Sequence, residues 1–265
     1  MNNFPSYYQK GSLLSVRTIT SGSVADMSFK VVSAFTPFMM SQVLVVEPDS
    51  GGSTIVLKVF NPRFISHRFQ SKHPWDPAAE VEAAQQRLHN TPFDFEFPHW
   101  PVREDRVGWE EWYFRQAKFS FSNEVAAYSR LRALQGGGVP KCFGWGTLNL
   151  PGRPISPDVL FLEYLNDAHS LKDVETKLIT EPIVRALKET VSAFGRLGVI
   201  HCDLNYGNIV FLVGCGGIYR AVIIDFGSSC VRDDELDEEW DTIVEEQSDV
   251  VYLEKRLASA FKERP

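Results

Sequence analysis

The chain has 265 residues, 44% hydrophobic and 23% charged, which suits one large domain or two closely packed lobes with a real core and excludes a disordered or fibrous chain. Its net charge of -7 is unevenly placed: residues 232–254 hold eleven acids against one base, while residues 1–231 hold 22 of each sign. A neutral body with an acidic segment offers no basic footprint, so no nucleic-acid partner is expected. Cys142, Cys202, Cys215 and Cys230 form no C-x-x-C pair, which argues against a disulfide framework or structural zinc and suits a reducing interior. The start of the chain lacks a basic region followed by an apolar run, and no stretch approaches the roughly 18 apolar residues of a membrane helix. A soluble intracellular protein, cytoplasmic or nuclear and without a membrane, is the expectation.

In chain order, residues 1–28 are polar and Ser/Thr-rich without a convincing period and read as a lead-in segment. From Phe29 to Ala34, Gln42 to Glu47 and Thr54 to Phe60, short apolar runs separated by turn signals predict three strands of an antiparallel sheet. Lys58 is a charge inside the third run; alone, such a lysine is an outward-facing edge residue. Between the first two strands the segment Phe35 to Ser41 has no glycine.

Residues 61–122 carry four of the six tryptophans, too aromatic for a disordered linker, and read as an insertion whose rings pack within the chain or hold a protein partner. Asp76 before Pro77 predicts a capped helix running to about His89. Ser122 or Asn123 caps a second helix with Val125, Tyr128, Leu131 and Leu134 on one stripe, ended by Gly136-Gly137-Gly138. Glu124, in its first turn, favours the helix dipole.

Val159 to Leu165 is an apolar strand running into Asn166-Asp167. Thr180 and Pro182 open a helix with Ile183, Leu187, Val191, Phe194 and Leu197 on its buried stripe, closed by Gly198. Next come His201-Cys202-Asp203-Leu204-Asn205-Tyr206-Gly207-Asn208, a strand from Ile209, a glycine turn at 214–217, a strand from Ala221, and Asp225-Phe226-Gly227. Folding one strand back on the other brings Asn208 and Asp225 to the open end of a hairpin. A carboxylate and an amide oxygen there suit a hard ion such as magnesium, with Asp203 on the preceding loop able to orient a hydroxyl proton. Turn-forming Asp and Asn residues are the bland alternative. The remaining 38 residues, with Trp240, Val244, Val251, Leu257 and Phe261 near helical spacing, predict one acidic terminal helix; its charge is a solvated face or a docking surface for a basic partner.

Asp203, Asn208 and Asp225-Phe226-Gly227 in this order resemble the catalytic loop and metal-binding triplet of the protein-kinase-like family, closest to the small fungal members; Leu57 to Phe64 and Glu124 to Tyr128 echo that group too. The resemblance implies an α+β, two-lobed protein-kinase-like fold: an N-lobe antiparallel sheet plus helix over residues 29–165 and a truncated helical C-lobe over residues 166–265. It implies an ATP- and magnesium-dependent kinase of atypical type, transferring the γ-phosphate to a hydroxyl on a protein or small molecule. In that scheme Lys58 and its partner Glu124 hold the phosphates, backbone groups of Glu163 and Leu165 hold adenine, Asp203 is catalytic, and Asn208 and Asp225 bind the metal. His201 is then structural. The family's glycine-rich loop is missing, Cys202 replaces an arginine, Asn205 replaces a lysine and the tail is short, so a pseudokinase acting as a binding or scaffold module is the alternative.

Overall fold

The computed structural model of the chain describes residues 5–20 and 23–263. Two compact units emerge: one made of the residues up to Phe121 and Phe143–Leu162, the other of Ser122–Cys142 and the residues from Glu163 on. Among the described residues no helix is long and apolar enough to cross a membrane.

The first unit is built on β1 (Leu13–Thr20), β2 (Ser23–Phe35), β3 (Gln42–Pro48) and β4 (Ile55–Phe60), followed by helices α1 (His67–Ser71), α2 (Pro77–Leu88) and α3 (Arg106–Arg130), then β5 (Cys142–Asn149) and β6 (Asp158–Glu163). Its six strands close into a barrel in the order β1-β2-β3-β4-β6-β5. Inward-facing Leu14, Val16, Phe29, Leu44, Leu57 and Val159 are all buried in one apolar core.

This barrel corrects the expected two-lobed protein-kinase-like fold, with an N-lobe antiparallel sheet plus helix and a truncated helical C-lobe. The physical reason is β1, which lies in the stretch read as a lead-in. Leu14, Val16 and Thr18 are buried while Leu13, Ser15 and Arg17 are exposed, a period of two masked by Ser and Thr. One edge of β1 pairs with β2, Leu13 opposite Lys30, and the other pairs with β5, Val16 opposite Leu148. A strand bonded on both edges removes the free edges that an open sheet must otherwise protect.

Within the aromatic stretch, Asp76 caps α2 as its sequence predicts, its carboxylate accepting the amides of Ala78 and Ala79 at 3.0 and 3.1 Å. Those bonds hold its carboxyl below the usual range. The next helix departs from expectation: α3 starts at Arg106 rather than at Ser122, so Glu124 is interior to it. Trp109, Trp112, Tyr113, Ala117, Ser120, Glu124, Ala127 and Tyr128 are buried along it, one continuous 3.6-residue stripe in which the aromatic segment and the predicted helix share a face. Charge anchors the surrounding chain: Arg68, 1% exposed, grips Glu110 with two bonds of 2.9 and 2.6 Å and lies 3.8 Å over the Tyr113 ring. Arg153 likewise pairs with buried Glu80.

The second unit takes the end of α3, then β7 (Ala168–Ser170), α4 (Glu181–Arg196), β8 (Val199–Ile200), β9 (Ile209–Gly214), β10 (Gly217–Ile223), β11 (Cys230–Val231), α5 (Asp237–Gln247) and α6 (Asp249–Glu263). Its sheet runs β10-β9-β7, with β11 and β8 as a separate pair. Leu187, Val191 and Phe194 form the buried stripe of α4, and Gly198 ends it with a φ of 76°, the left-handed geometry glycine adopts without penalty. Two terminal helices stand where one was expected. Ser248 breaks them with φ 4° and ψ 77°, which resets the helical phase: Leu253, Leu257 and Ala260 are buried while Val251 and Phe261 are exposed. The acidic α5 is held by Trp240, whose indole donates to the Gly195 carbonyl at 2.8 Å.

Candidate functional site

In the hairpin of β9 and β10, Ile223 stands opposite Ile209, and the Ile224 amide then donates to the Asn208 carbonyl at 3.0 Å. Asp225 is the next residue, so Asn208 and Asp225 meet at the open end of the ladder. Asn208 is buried and uses its amide nitrogen on one neighbour, donating to the Asp203 backbone oxygen at 2.8 Å and to its carboxylate at 3.2 Å. Both donors of the side chain are thereby engaged, which fixes its orientation and leaves the amide oxygen for another group. Asn205 donates to the other Asp203 oxygen at 3.1 Å and accepts the Gly207 amide at 2.8 Å. Asp203 is thus an exposed carboxylate steadied by two amides.

Two residues bordering this loop, Cys202 and Asp225, have positive φ values of 61° and 69°. For residues with a Cβ this conformation costs about 1–3 kcal/mol, and such strain gathers at functional sites. What holds it here is the packing behind the loop. Phe226, fully buried, lies 5.5 Å from Tyr128, 5.5 Å from Phe194 and 4.8 Å from His201, ring to ring.

His201, also fully buried, takes the structural part expected of it. Nδ1 accepts the Asp203 amide at 3.2 Å, and Nε2 faces the Ile224 carbonyl at 2.9 Å. Only the neutral ring with its proton on Nε2 satisfies both, because a proton on Nδ1 would point at an N–H. Burial pushes its pKa down, against the pull of the Ile224 carbonyl and of Asp249, Asp225 and Asp203. The histidine therefore ties the loop before Asp203 to the strand before Asp225.

Glu124, Glu163 and Asp225 come within electrostatic reach of one phenol: burial first, and then Glu124, Cys142, Asp225 and Glu163, push the Tyr128 hydroxyl well up. Glu124 is fully buried. Glu163 is held by Arg220 through bonds of 2.6 and 3.0 Å and accepts the Lys141 amide at 3.0 Å, while its own amide donates to the Lys141 carbonyl at 2.8 Å. Those bonds to Arg220 and Lys141 hold its carboxyl below the usual range despite the opposing effect of burial. Leu165 follows β6, half-buried. Lys58 belongs to the first unit, on β4 opposite Val43. It is 5% exposed rather than an outward edge residue, with its ammonium 5.5 Å from the Phe60 ring centre.

Sequence reasoning missed Asp249 and Arg220. Asp249 opens α6, and its carboxylate accepts the His201 amide at 2.7 Å; burial raises its pKa. The serine before it, a helix-start signal inside an acidic run, is the only local hint. Arg220 sits in the hairpin strand, and nothing in its neighbours announces a partner 57 residues away. Among the described residues no three His, Cys, Asp or Glu side chains gather as a metal site; Asp225 with Asn208 is a smaller set, of the kind magnesium completes with water and phosphate. Comparison with protein-family models and with curated proteins gave no match.

Proposed function

We propose that the chain is a magnesium-dependent phosphotransferase that moves the γ-phosphate of ATP to a hydroxyl on a protein or small-molecule acceptor. The observation that supports it is the Asn208 side chain, which spends both amide hydrogens on Asp203, at the end of the hairpin where the Ile224 amide before Asp225 bonds the Asn208 carbonyl. The motif and its local geometry carry this reading, independently of the fold.

Each group then has a task. Asp203, steadied by Asn205 and Asn208, takes up the hydrogen bond of the acceptor hydroxyl and receives its proton as the phosphate is transferred. Asn208 and Asp225 supply a neutral and an anionic oxygen, a donor set that fits magnesium. When bound, the metal would neutralise charge on the phosphate oxygens. The backbone of Glu163 and Leu165 offers hydrogen bonds to adenine. Because phosphoryl transfer needs positioning more than covalent chemistry, the rigid frame of His201, Phe226 and Asp249 matters as much as the reacting groups.

A titration of melting temperature with ATP, with and without magnesium, tests the reading. Metal-dependent stabilisation that disappears in Asp225→Asn is expected, since a ligand stabilises only the state that binds it. Turnover of ATP should vanish in Asp203→Asn; no stabilisation, or turnover indifferent to that change, overturns it.

A binding module without catalysis is the second reading. It draws on the glycine-free link between β2 and β3, where Phe35 and Met39 are 55% and 57% exposed and no glycine eases backbone approach to phosphate. It predicts partner capture that survives both Asp225→Asn and Lys58→Met.

A further inference from the structure

Beyond the groups assigned above, the second unit brings two thiols together next to Asp203. β8 pairs with β11 so that Cys230 stands opposite Ile200. Cys202, two residues past Ile200, turns back in its left-handed conformation, and its Sγ lies 3.6 Å from the Ile200 carbonyl, facing the Cys230 backbone amide. Diagonal neighbours in an antiparallel pair stand about 7–8 Å apart, just beyond the roughly 7 Å a disulfide spans without backbone movement, and the hydrogen bond from the Cys230 amide sets the Cys202 sulfur against the Cys230 backbone. Both cysteines are exposed, so a small oxidant has access to each. The other two are elsewhere: Cys142 begins β5 and Cys215 sits in the hairpin turn.

We propose that Cys202 and Cys230 form a paired-thiol modification site, which hydroperoxides convert reversibly to a disulfide. In the first step the Cys202 thiolate attacks one peroxide oxygen, the O–O bond breaks, and a sulfenic acid forms with release of water or an alcohol. The Cys230 thiolate then attacks that sulfur; the S–S bond forms and hydroxide leaves, taking a proton to become water. In sum the two thiols give up two electrons and two protons, and the peroxide is reduced. A small dithiol reverses the reaction by exchange, becoming a disulfide itself. Although both residues are exposed overall, partial desolvation of the sulfurs holds both thiols above their ordinary value, which slows their attack on a peroxide. The cross-link ties the loop carrying Asp203 to the segment following Asp225-Phe226-Gly227 and encloses Asp203, Asn208 and Asp225 between its ends. Its effect on catalysis rests on the phosphotransferase reading: with that reading, the cross-linked loop loses the freedom to close on an acceptor.

Full-length reduced protein is treated with hydrogen peroxide, its remaining thiols are blocked, and its peptides are mapped by mass spectrometry. A linked Cys202–Cys230 peptide pair, two hydrogens lighter than the sum and separated by dithiothreitol, is expected; it should be absent in Cys230→Ser and in Cys202→Ala. Sulfinic or sulfonic acids on separate cysteines, or only intermolecular links through Cys215, overturn the site. Phosphate transfer from ATP should be lost on oxidation, regained on reduction, and resistant to peroxide in Cys230→Ser; transfer that persists through complete cross-linking overturns the coupling. A linked pair in a protein that transfers no phosphate in either state sinks the phosphotransferase reading and leaves the thiol site standing, whereas active reduced protein that never cross-links sinks the thiol site alone.

Discussion

The Asp249 carboxylate accepts the backbone amide of His201 at 2.7 Å, from a residue 48 positions away. An amide at the start of a loop between strand and hairpin would otherwise be a buried donor without an acceptor, costing about 1–3 kcal/mol. Through it the beginning of α6 sets where His201 stands, and His201 in turn accepts the Asp203 amide. Asp249→Ala should therefore lower the melting temperature and also reduce any turnover, although Asp249 contacts neither Asn208 nor Asp225 through a hydrogen bond among the described residues; calorimetry and ATP turnover on the same preparation measure both.

A pH dependence follows from the buried histidine. Its pKa is lowered from 6.5 in the fold, so below 6.5 the unfolded state binds the proton that the folded state refuses. Stability from this group is fully present above 6.5 and is lost as pH falls through the lowered value. Asp249 acts in the opposite sense: its raised value gives stability present below 3.8 and lost as pH rises through the folded value. Asp225 and Asp203 also face the ring. Comparing wild type with His201→Gln isolates the histidine: denaturation from pH 7.5 to 5 should show wild type losing stability faster than the variant, and parallel curves would refute it.

On the proposed reading, Asp203→Asn removes the proton acceptor while keeping the shape of an exposed side chain. A loss of about a hundred- to ten-thousandfold in phosphate transfer is expected, with the melting temperature unchanged. Asn208→Leu should lose the transfer as well, because Asp203 is then steadied by Asn205 alone.

In the first unit, the Arg68–Glu110 pair is nearly inaccessible to solvent, and Glu110 also accepts the Asp76 amide at 3.0 Å. Removing one partner strands a charge, at a cost of about 3–5 kcal/mol. Urea denaturation should show Glu110→Gln and Arg68→Met each strongly destabilised, and the double variant less so than their sum.

Closure of the barrel can be tested at Gly146. It stands opposite Thr18, and a Cβ added there would lie 2.2 Å from the Arg17 carbonyl oxygen. Backbone cannot rotate away as a side chain can, so Gly146→Ala should cost at least about 1–3 kcal/mol. Gly216→Ala, with open space around it, serves as the control in the same denaturation series.

What the chain announces locally it forms locally. Asp76 before Pro77 caps a helix because the carboxylate reaches amides two and three residues on. The glycines at 214–217 turn a hairpin because two apolar runs flank them, and Asn208 and Asp225 consequently share its open end. These relations span a few residues or one turn, so spacing alone determines them. The barrel was illegible for the opposite reason: β1 looks like a polar lead-in until β2 and β5 cover its edges, and Val16 and Leu148 are paired by closure rather than by any local pattern. The long α3 escaped because its aromatic half and its aliphatic half read as separate compositions while sharing one buried stripe. Asp249 beneath His201, Arg220 on Glu163 and Cys202 beside Cys230 were decided by tertiary structure alone: each joins residues 28 to 57 positions apart, and the packing that brings each pair together is encoded in no local spacing.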